Sequence, residues 1–351
     1  MESFLVLYID LVDHVIISSQ RYKKPVIWVY LGLMENGRSD LVAVLGPTAV
    51  GKTAFAAHLA DRIGGEIISA DSRQVYRGMD IGTGKDMDDY LVDGSRIPVH
   101  LVDILDAGYE YNVYLFKQDF LRVFTDITER QKIPVLCGGT GLYIESILRN
   151  YRLLSVPVNE ELRNDLEKKN FEELEGILKL YGPLHNKTDL VNRKRIVRAI
   201  EIAMYQALQP DNQADSKEMN SVVLGIKLER VERRNMITER LMKRLKEGMI
   251  DEVERLLEKG VPPDKMEYYG LEYRFITRYI RHELTYDEMV KRLNTAIHQF
   301  AKRQMTYFRG MERRGVKIHW IDGTLPMEEK LELGISICRS VLSGSSLQSR
   351  L

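Results

Sequence analysis

The octet Gly46-Pro47-Thr48-Ala49-Val50-Gly51-Lys52-Thr53 follows an apolar run, Leu41 to Leu45, and leads into an amphipathic one, Ala54 to Ile63. It fits the pattern G-x-x-x-x-G-K-[ST], and a buried strand before it with a helix after it is the setting in which that pattern cradles phosphate. In such a loop the glycines turn successive backbone N–H groups toward an anion, and Lys52 places a point charge on the terminal phosphate. The Thr53 hydroxyl is placed to ligate Mg²⁺ at a helix N-terminus. A chance match in a turn seldom carries both flanks. The octet does not say which phosphate it holds.

Outward from the octet the pattern continues as strand, helix, strand. Glu66 to Ala70 reads as a second strand, so the segment forms a βαβ unit, and Asp71-Ser72 falls at that strand's end. In open parallel sheets ligands bind at the carboxyl ends of strands, which favours a base or metal ligand at Asp71 over a simple helix cap. A third strand is expected at Pro98 to Asp103, then a helix from about Val113 to Arg130 with Asn112 as its cap. A fourth strand, Ile133 to Cys137, runs into Gly138-Gly139-Thr140-Gly141 and a helix from about Leu142. Thr140 there either donates to a phosphate or only ends the strand.

After Tyr151 the pattern becomes helical through Gln206, with a basic cluster at Arg193-Lys194-Arg195 and Arg198. Pro210 to Asn220 reads as a linker, and Val222 to Leu228 as a strand that returns to the first sheet. Long charged helices follow over Glu232 to Lys259 and Tyr286 to Arg314, with a short last strand at Val316 to Ile321. The expected fold is α/β: a P-loop NTPase-like parallel sheet core with an inserted, mainly helical domain. Its parts are an extension (1–39), the core's first part (40–152), the insertion (153–220), the core's second part with basic helices (221–326) and a C-terminal tail (327–351).

Composition narrows the class further. The 351 residues are 44% hydrophobic and 29% charged, as in an ordinary globular protein, and the length suits about two domains. Zero net charge argues against a chain that coats nucleic acid indiscriminately. The charge is unevenly placed, with 15 Lys+Arg against 20 Asp+Glu in residues 1–150 and 36 against 31 beyond, so an acidic first part joins a basic second one. Cys137 and Cys338 form neither a metal-site spacing nor a disulfide framework, which suits a reducing compartment. Residues 1–33 hold no apolar run of membrane-spanning length and no signal-peptide pattern, and Met34 offers an alternative start. The expectation is a cytoplasmic monomer with no membrane partner.

A phosphate loop, a strand-end acid and a basic C-terminal part fit a small-molecule kinase and, equally, a transferase with a diphosphate leaving group. Spacing separates neither these two nor Arg240 from its neighbours Arg230, Arg233, Arg234, Lys243 and Arg244, since a charge run is usually a solvated face.

Four blocks resolve this by resemblance: Gly46 to Thr53, Ile68 to Lys85 (ISADSRQVYRGMDIGTGK), Gly138 to Tyr143 (GGTGLY) and Gln299 to Arg309 (QFAKRQMTYFR). Together, in this order, they resemble tRNA dimethylallyltransferases of bacterial type, from about Asp40 to Trp320. The resemblance implies transfer of a dimethylallyl group from dimethylallyl diphosphate to the exocyclic amine of the adenosine 3′ of the anticodon, in tRNAs reading codons that begin with U. It also implies Mg²⁺, with Asp71 accepting the amine proton, Thr140 positioning the reacting groups and Arg240 assisting the leaving diphosphate. By the same resemblance the contacts with the tRNA anticodon stem-loop fall on Asp71, Ser72, Arg73, Gln74, Thr140, Arg163, Lys194, Arg195, Ile196, Val197, Arg198, His298, Gln299 and Lys302. Glu272-Tyr273-Arg274 stands where many members carry Gly-Tyr-Arg or Gly-Tyr-Lys, and Met236 and His298 stand where some carry arginine. The rivals are a nucleotide kinase that also binds ATP, a prenyltransferase of free adenine nucleotide, and a nucleic-acid-binding protein with an inactive loop.

Overall fold

In the computed structural model, residues 41–181, 192–208 and 219–347 are described. The extension at 1–39, with Met34, and most of the polar stretch from Pro210 to Asn220 lie outside them. The chain divides into two compact units, one made of the segments 1–150 and 218–351 and the other of 151–217.

In the first unit the order is β1 (Leu41–Leu45), α1 (Lys52–Ile63), β2 (Gly65–Ser69), a hairpin of β3 (Leu91–Val92) and β4 (Ser95–Arg96), then β5 (Val99–His100), α2 (Val113–Glu129), β6 (Ile133–Gly138) and α3 (Gly141–Leu148). The second unit contributes α4 (Glu160–Glu167), α5 (Phe171–Leu180) and α6 (Arg193–Ala207). The chain then returns to the first with β7 (Ser221–Lys227), α7 (Arg230–Lys246), α8 (Met249–Glu258), α9 (Pro263–Tyr269), α10 (Leu271–Ile280), α11 (Tyr286–Arg313), β8 (Ile318–Asp322) and α12 (Met327–Leu347).

Six strands form one parallel sheet in the order β5-β2-β6-β1-β7-β8. β1 lies at its centre, with Val42 opposite Val135 on β6 and opposite Val222 on β7. All five residues of β1 are buried because both faces are covered, as a parallel sheet requires. Successive side chains point to opposite faces. Leu41, Ala43 and Leu45 join one core cluster with Phe116, Phe308 and Met311, while Val42 and Val44 join another with Phe55 and Leu59. Parallel pairing also puts the ends of β2, β6 and β1 side by side on one edge, so the turns after them face a common space.

Most elements match the reading above to within two residues, including the Asn112 cap, whose Oδ1 accepts from the N–H groups of Tyr114 and Leu115. The third strand is shorter than Pro98 to Asp103. Leu101 and Asp103 have φ of 62° and 55°, a left-handed backbone that ends the ladder after His100. The charged stretch Glu232 to Lys259 is two helices, broken at Gly248 with φ of 94°. Residues 327–351, expected as a tail, contain α12, whose Leu331 and Cys338 are buried in the second cluster.

The block from Asp71 to Lys85 has little regular structure and is held by side chains. Glu252 on α8 accepts from the backbone N–H groups of Asp80, Ile81 and Gly82 at 2.9, 2.7 and 3.0 Å, and from the Tyr273 hydroxyl at 2.7 Å. A carboxylate thus fills a nest of amides that would otherwise be unsatisfied. Lys85, whose side chain is 1% exposed, donates to the Tyr76 carbonyl, to Asp80 and to Asp103.

The second unit has its own core of Leu166, Leu174, Leu178, Ile196, Val197 and Ile200. Its buried anion is Glu201, which accepts from the Asn159 N–H and pairs with Arg163 and Arg198.

Glu252→Ala leaves one buried and two part-buried amides and a buried hydroxyl without an acceptor. Each orphan costs about 1–3 kcal/mol, so the substitution should destabilise the protein by about 3 kcal/mol or more. Urea unfolding of the two proteins measures this, and a loss below about 1 kcal/mol would mean that water replaces the carboxylate.

Candidate active site

The three strand-end turns line a cavity of about 770 Å³ whose other walls come from α7, α9, α10 and α11. Its size lies toward the upper end of the range for small-molecule sites, enough for a diphosphate and a base together.

The first turn is the phosphate loop. Ala49 and Gly51 have φ of 63° and 75°, and this left-handed pair bends the loop so that Gly51 starts α1 with no side-chain cap of its own. The helix's free N–H groups therefore open toward the cavity, as an anion requires. Lys52 bridges to the Pro47 carbonyl at 3.4 Å, and burial pushes its ammonium down, partly opposed by Asp71. Cys137 lies beneath, its thiol pushed up to about 12 by burial.

The second turn carries Asp71, whose Oδ1 accepts from the Arg73 N–H at 2.9 Å and so fixes the carboxylate at the strand's end. The third carries Thr140, whose Oγ1 accepts from the Ser72 N–H at 3.1 Å and ties the two turns together. Gly138 permits this approach: a Cβ there would stand 2.3 Å from the Ala70 carbonyl oxygen. Asp71, Thr140, Lys52 and Thr53 all line the cavity.

Arg240, like Arg244 of the same basic run, reaches this space from α7, and of the two it is the one that also meets the phosphate loop. It donates to Thr48 Oγ1 at 3.3 Å and to Asp86 at 3.0 Å. Arg244, one turn on, holds both Asp86 oxygens at 2.9 and 2.7 Å. Burial pulls the Asp86 carboxyl up, but the two guanidiniums outweigh it and hold it below the usual carboxylate range. Both arginines press on Gly84, where a Cβ would lie 2.5 and 2.7 Å from their Nη2 atoms. Glu272 lines the cavity close by, its carboxyl pushed up by burial against the pull of the same arginines.

Gln304 escaped the sequence reading. From α11 its Oε1 accepts from the Thr48 N–H at 2.9 Å and its Nε2 donates to the Gly139 carbonyl at 2.9 Å, so one amide fastens two of the turns. The available signal was its position: it is a buried polar residue on the helix stripe of Ile297, Ala301, Met305, Phe308 and Met311.

Other expected contacts lie elsewhere. Ser72 and Arg73 line the cavity, as does Gln74, but the Gln74 side chain is spent inward on Ser69 and the Gly84 carbonyl. Ile196 and Val197 need correcting as RNA contacts, because both side chains are buried in the second unit's core. Lys194 and Arg195 are exposed on α6, whereas Arg163 and Arg198 are tied to Glu201. Gln299 and Lys302 are exposed on α11, and His298 contacts the Thr238 hydroxyl at 3.3 Å while burial, with Arg234 and Arg233, pushes its imidazole down.

Among the described residues no group of three His, Cys, Asp or Glu side chains could hold a metal unaided. The cavity does offer hard oxygen donors in Thr53, Asp71 and Asp89. That set fits Mg²⁺, which takes one or two protein oxygens and completes its shell with water and phosphate. No helix among the described residues is long and apolar enough to cross a membrane.

Gln304→Leu should keep the helix stripe apolar but strand the Thr48 N–H and the Gly139 carbonyl. A loss of about 1–3 kcal/mol by thermal or urea unfolding is expected, with a rise in KM for a phosphate ligand. Unchanged stability and KM would mean that the two turns hold together without it.

A family profile described as IPP transferase matches residues 74–311. The chain is 56% identical over 292 residues to tRNA dimethylallyltransferase 2 of Bacteroides fragilis, covering 83% of this chain and 95% of that one. With tRNA dimethylallyltransferase 1 of Parabacteroides distasonis it shares 55% over 303 residues, covering 86% and 99%. Its fold is similar to the crystal structure of a full-length tRNA isopentenylpyrophosphate transferase from Bacillus halodurans, with a TM-score of 0.64, 30% identity and coverage of 89% and 99%. With its phosphate loop, strand-end acid and arginine on one cavity, the chain belongs to the IPP transferase family, among the tRNA dimethylallyltransferases.

Proposed function

We propose that this enzyme transfers the dimethylallyl group of dimethylallyl diphosphate to the exocyclic N6 amine of the adenosine 3′ of the anticodon of tRNA, in a reducing cytoplasm. The observation that carries the reading is the convergence of Arg240 and the phosphate loop with Asp71 and Thr140 on one cavity. A kinase needs the anion site too. The paired turns at Asp71 and Thr140 add an acceptor for a proton where the second substrate would lie.

In the reaction the N6 nitrogen forms a bond to the allylic carbon as that carbon's bond to the diphosphate oxygen breaks. The electron pair leaves with the diphosphate, and one amine proton is lost. Charge grows on the leaving group, so donors fixed around it stabilise the transition state more than the ground state. Those donors are the loop N–H groups, Lys52 and Arg240. Mg²⁺, held by Thr53 and completing its shell with water and phosphate oxygens, would supply further charge neutralisation at the diphosphate. Asp71 is held by the Arg73 N–H with its second oxygen left to accept the proton. Thr140, fixed by the Ser72 N–H, positions the incoming base. The exposed cations Lys194, Arg195 and Lys302 would set the RNA backbone in place, as phosphate contacts do.

The test is incubation with dimethylallyl diphosphate and unmodified tRNA, followed by mass analysis of the nucleosides. A prenylated adenosine supports the reading; ATP turnover without it would favour a kinase, and prenylation of free nucleotide alone a prenyltransferase of free adenine nucleotide.

Lys52→Ala or Thr53→Ala should weaken use of the diphosphate and of Mg²⁺ while tRNA affinity stays nearly intact, because both residues belong to the anion cradle. Filter binding of tRNA checks this, and an equal loss of RNA affinity would refute the division of labour.

Asp71→Asn keeps shape and hydrogen-bonding reach but removes basicity, so the single-turnover rate at saturating tRNA should fall by about 10² to 10⁴. A fall below about fivefold would leave Asp71 as an orienting acceptor only.

A further inference from the structure

On one wall of the cavity two side chains, those of Tyr268 and Arg73, have no part in the chemistry above. Tyr268, on α9, is half-buried with its ring on the cavity, and the Arg73 guanidinium lies over that ring, 4.7 Å from its centroid. The ring is held at both ends. Its hydroxyl donates to the Tyr111 carbonyl at 3.1 Å, and Tyr269 meets it edge-on at 5.6 Å and 76°. Among the described residues the Arg73 guanidinium has no hydrogen-bond partner, although Arg73 also lines the cavity. A cation seated on a fixed ring, with its N–H edge unspent, leaves a flat, positively charged surface facing the site.

We propose that Tyr268 and Arg73 form a stacking platform for the target adenine inside the cavity, with Tyr268 acting through it as a positioning residue. This rests on the reading that a base of the RNA enters here. A base leaving its own stack gives up stacking energy. An aromatic or guanidinium plane returns about ten- to a hundredfold in affinity per base, and every purine presents the face it needs. Arg73 is also joined to the reacting group, since its N–H is the donor that fixes Asp71. A base laid on the guanidinium is therefore registered against the Asp71 carboxylate through a single turn of chain. A diphosphate clamp is the other use for a lone arginine, but here the cation is drawn toward Tyr268, while Lys52 and Arg240 serve the phosphate loop.

The experiment uses the full chain and an anticodon stem-loop RNA carrying the fluorescent base aminopurine at the target position. Stacking quenches this base, so its fluorescence in the complex reports the platform without turnover. In the wild-type complex a quenched signal distinct from that of free RNA is expected. Tyr268→Leu should brighten the complex at least about twofold and raise KM for RNA about tenfold, with donor KM within about twofold, as loss of one stacking contact predicts. Tyr268→Phe should keep the quenching. Arg73→Lys keeps the charge but not the plane, so it should behave as Tyr268→Leu does. Wild-type quenching and KM in both Tyr268→Leu and Arg73→Lys would overturn the platform while leaving base entry intact. A wild-type complex with the signal of free RNA would overturn base entry and the platform together.

Discussion

Three cations, Lys52, Arg240 and Arg244, have to stand in one partly buried cavity before any anion arrives. Charge drawn out of water and left uncompensated is costly, and like charges side by side add to the cost. Asp86 is the internal answer: it takes both guanidiniums at 2.7 to 3.0 Å. Much of the surrounding sequence serves that arrangement. Gly84 is small because the arginines cross there, and Glu252 pins the amides of 80–82 that lead to Asp86. The unusual length of the block from Ile68 to Lys85 is then understandable, since a loop without regular hydrogen bonding needs a carboxylate and a buried lysine to hold it.

The same economy joins the strand ends. Thr140 and Gln304 each bridge two turns, one with a hydroxyl and the other with an amide. Each bridge ties backbone to backbone through one side chain. The distances between the acid, the cradle and the third turn are therefore set by short polar contacts and not by apolar packing, which tolerates small shifts more readily.

How much of this was legible in the sequence depended on whether a feature is local. The strand ends, the phosphate loop and the Asn112 cap declare themselves within a few residues, so β1, α1, α2 and β6 were placed almost to the residue. The third strand was overdrawn because nothing in the residue types of Leu101 and Asp103 announces a left-handed backbone. Arg240 could be singled out only by resemblance, since its helix carries many cations and only the fold decides which faces Thr48. Gln304 was missed for a similar reason: its partners Thr48 and Gly139 are 256 and 165 residues away. Ile196 and Val197 failed the other way, because a run carried over whole ignores which side of a helix is buried.

The strand order has a consequence for a chain made from its N-terminus. Among the described strands β1 is synthesised first, yet both its neighbours, β6 and β7, come later, and the latter follows an entire second unit. Throughout that interval the strand that bears the loop has at least one unfilled edge. Gln304 and Arg240 emerge later still, so the anion cradle is the oldest part of the site on the ribosome and the last to be braced. Open apolar edges of this kind are where growing chains stick to one another. An assembly of this order leaves an unpaired strand edge during translation, before the finished protein has anything to bind.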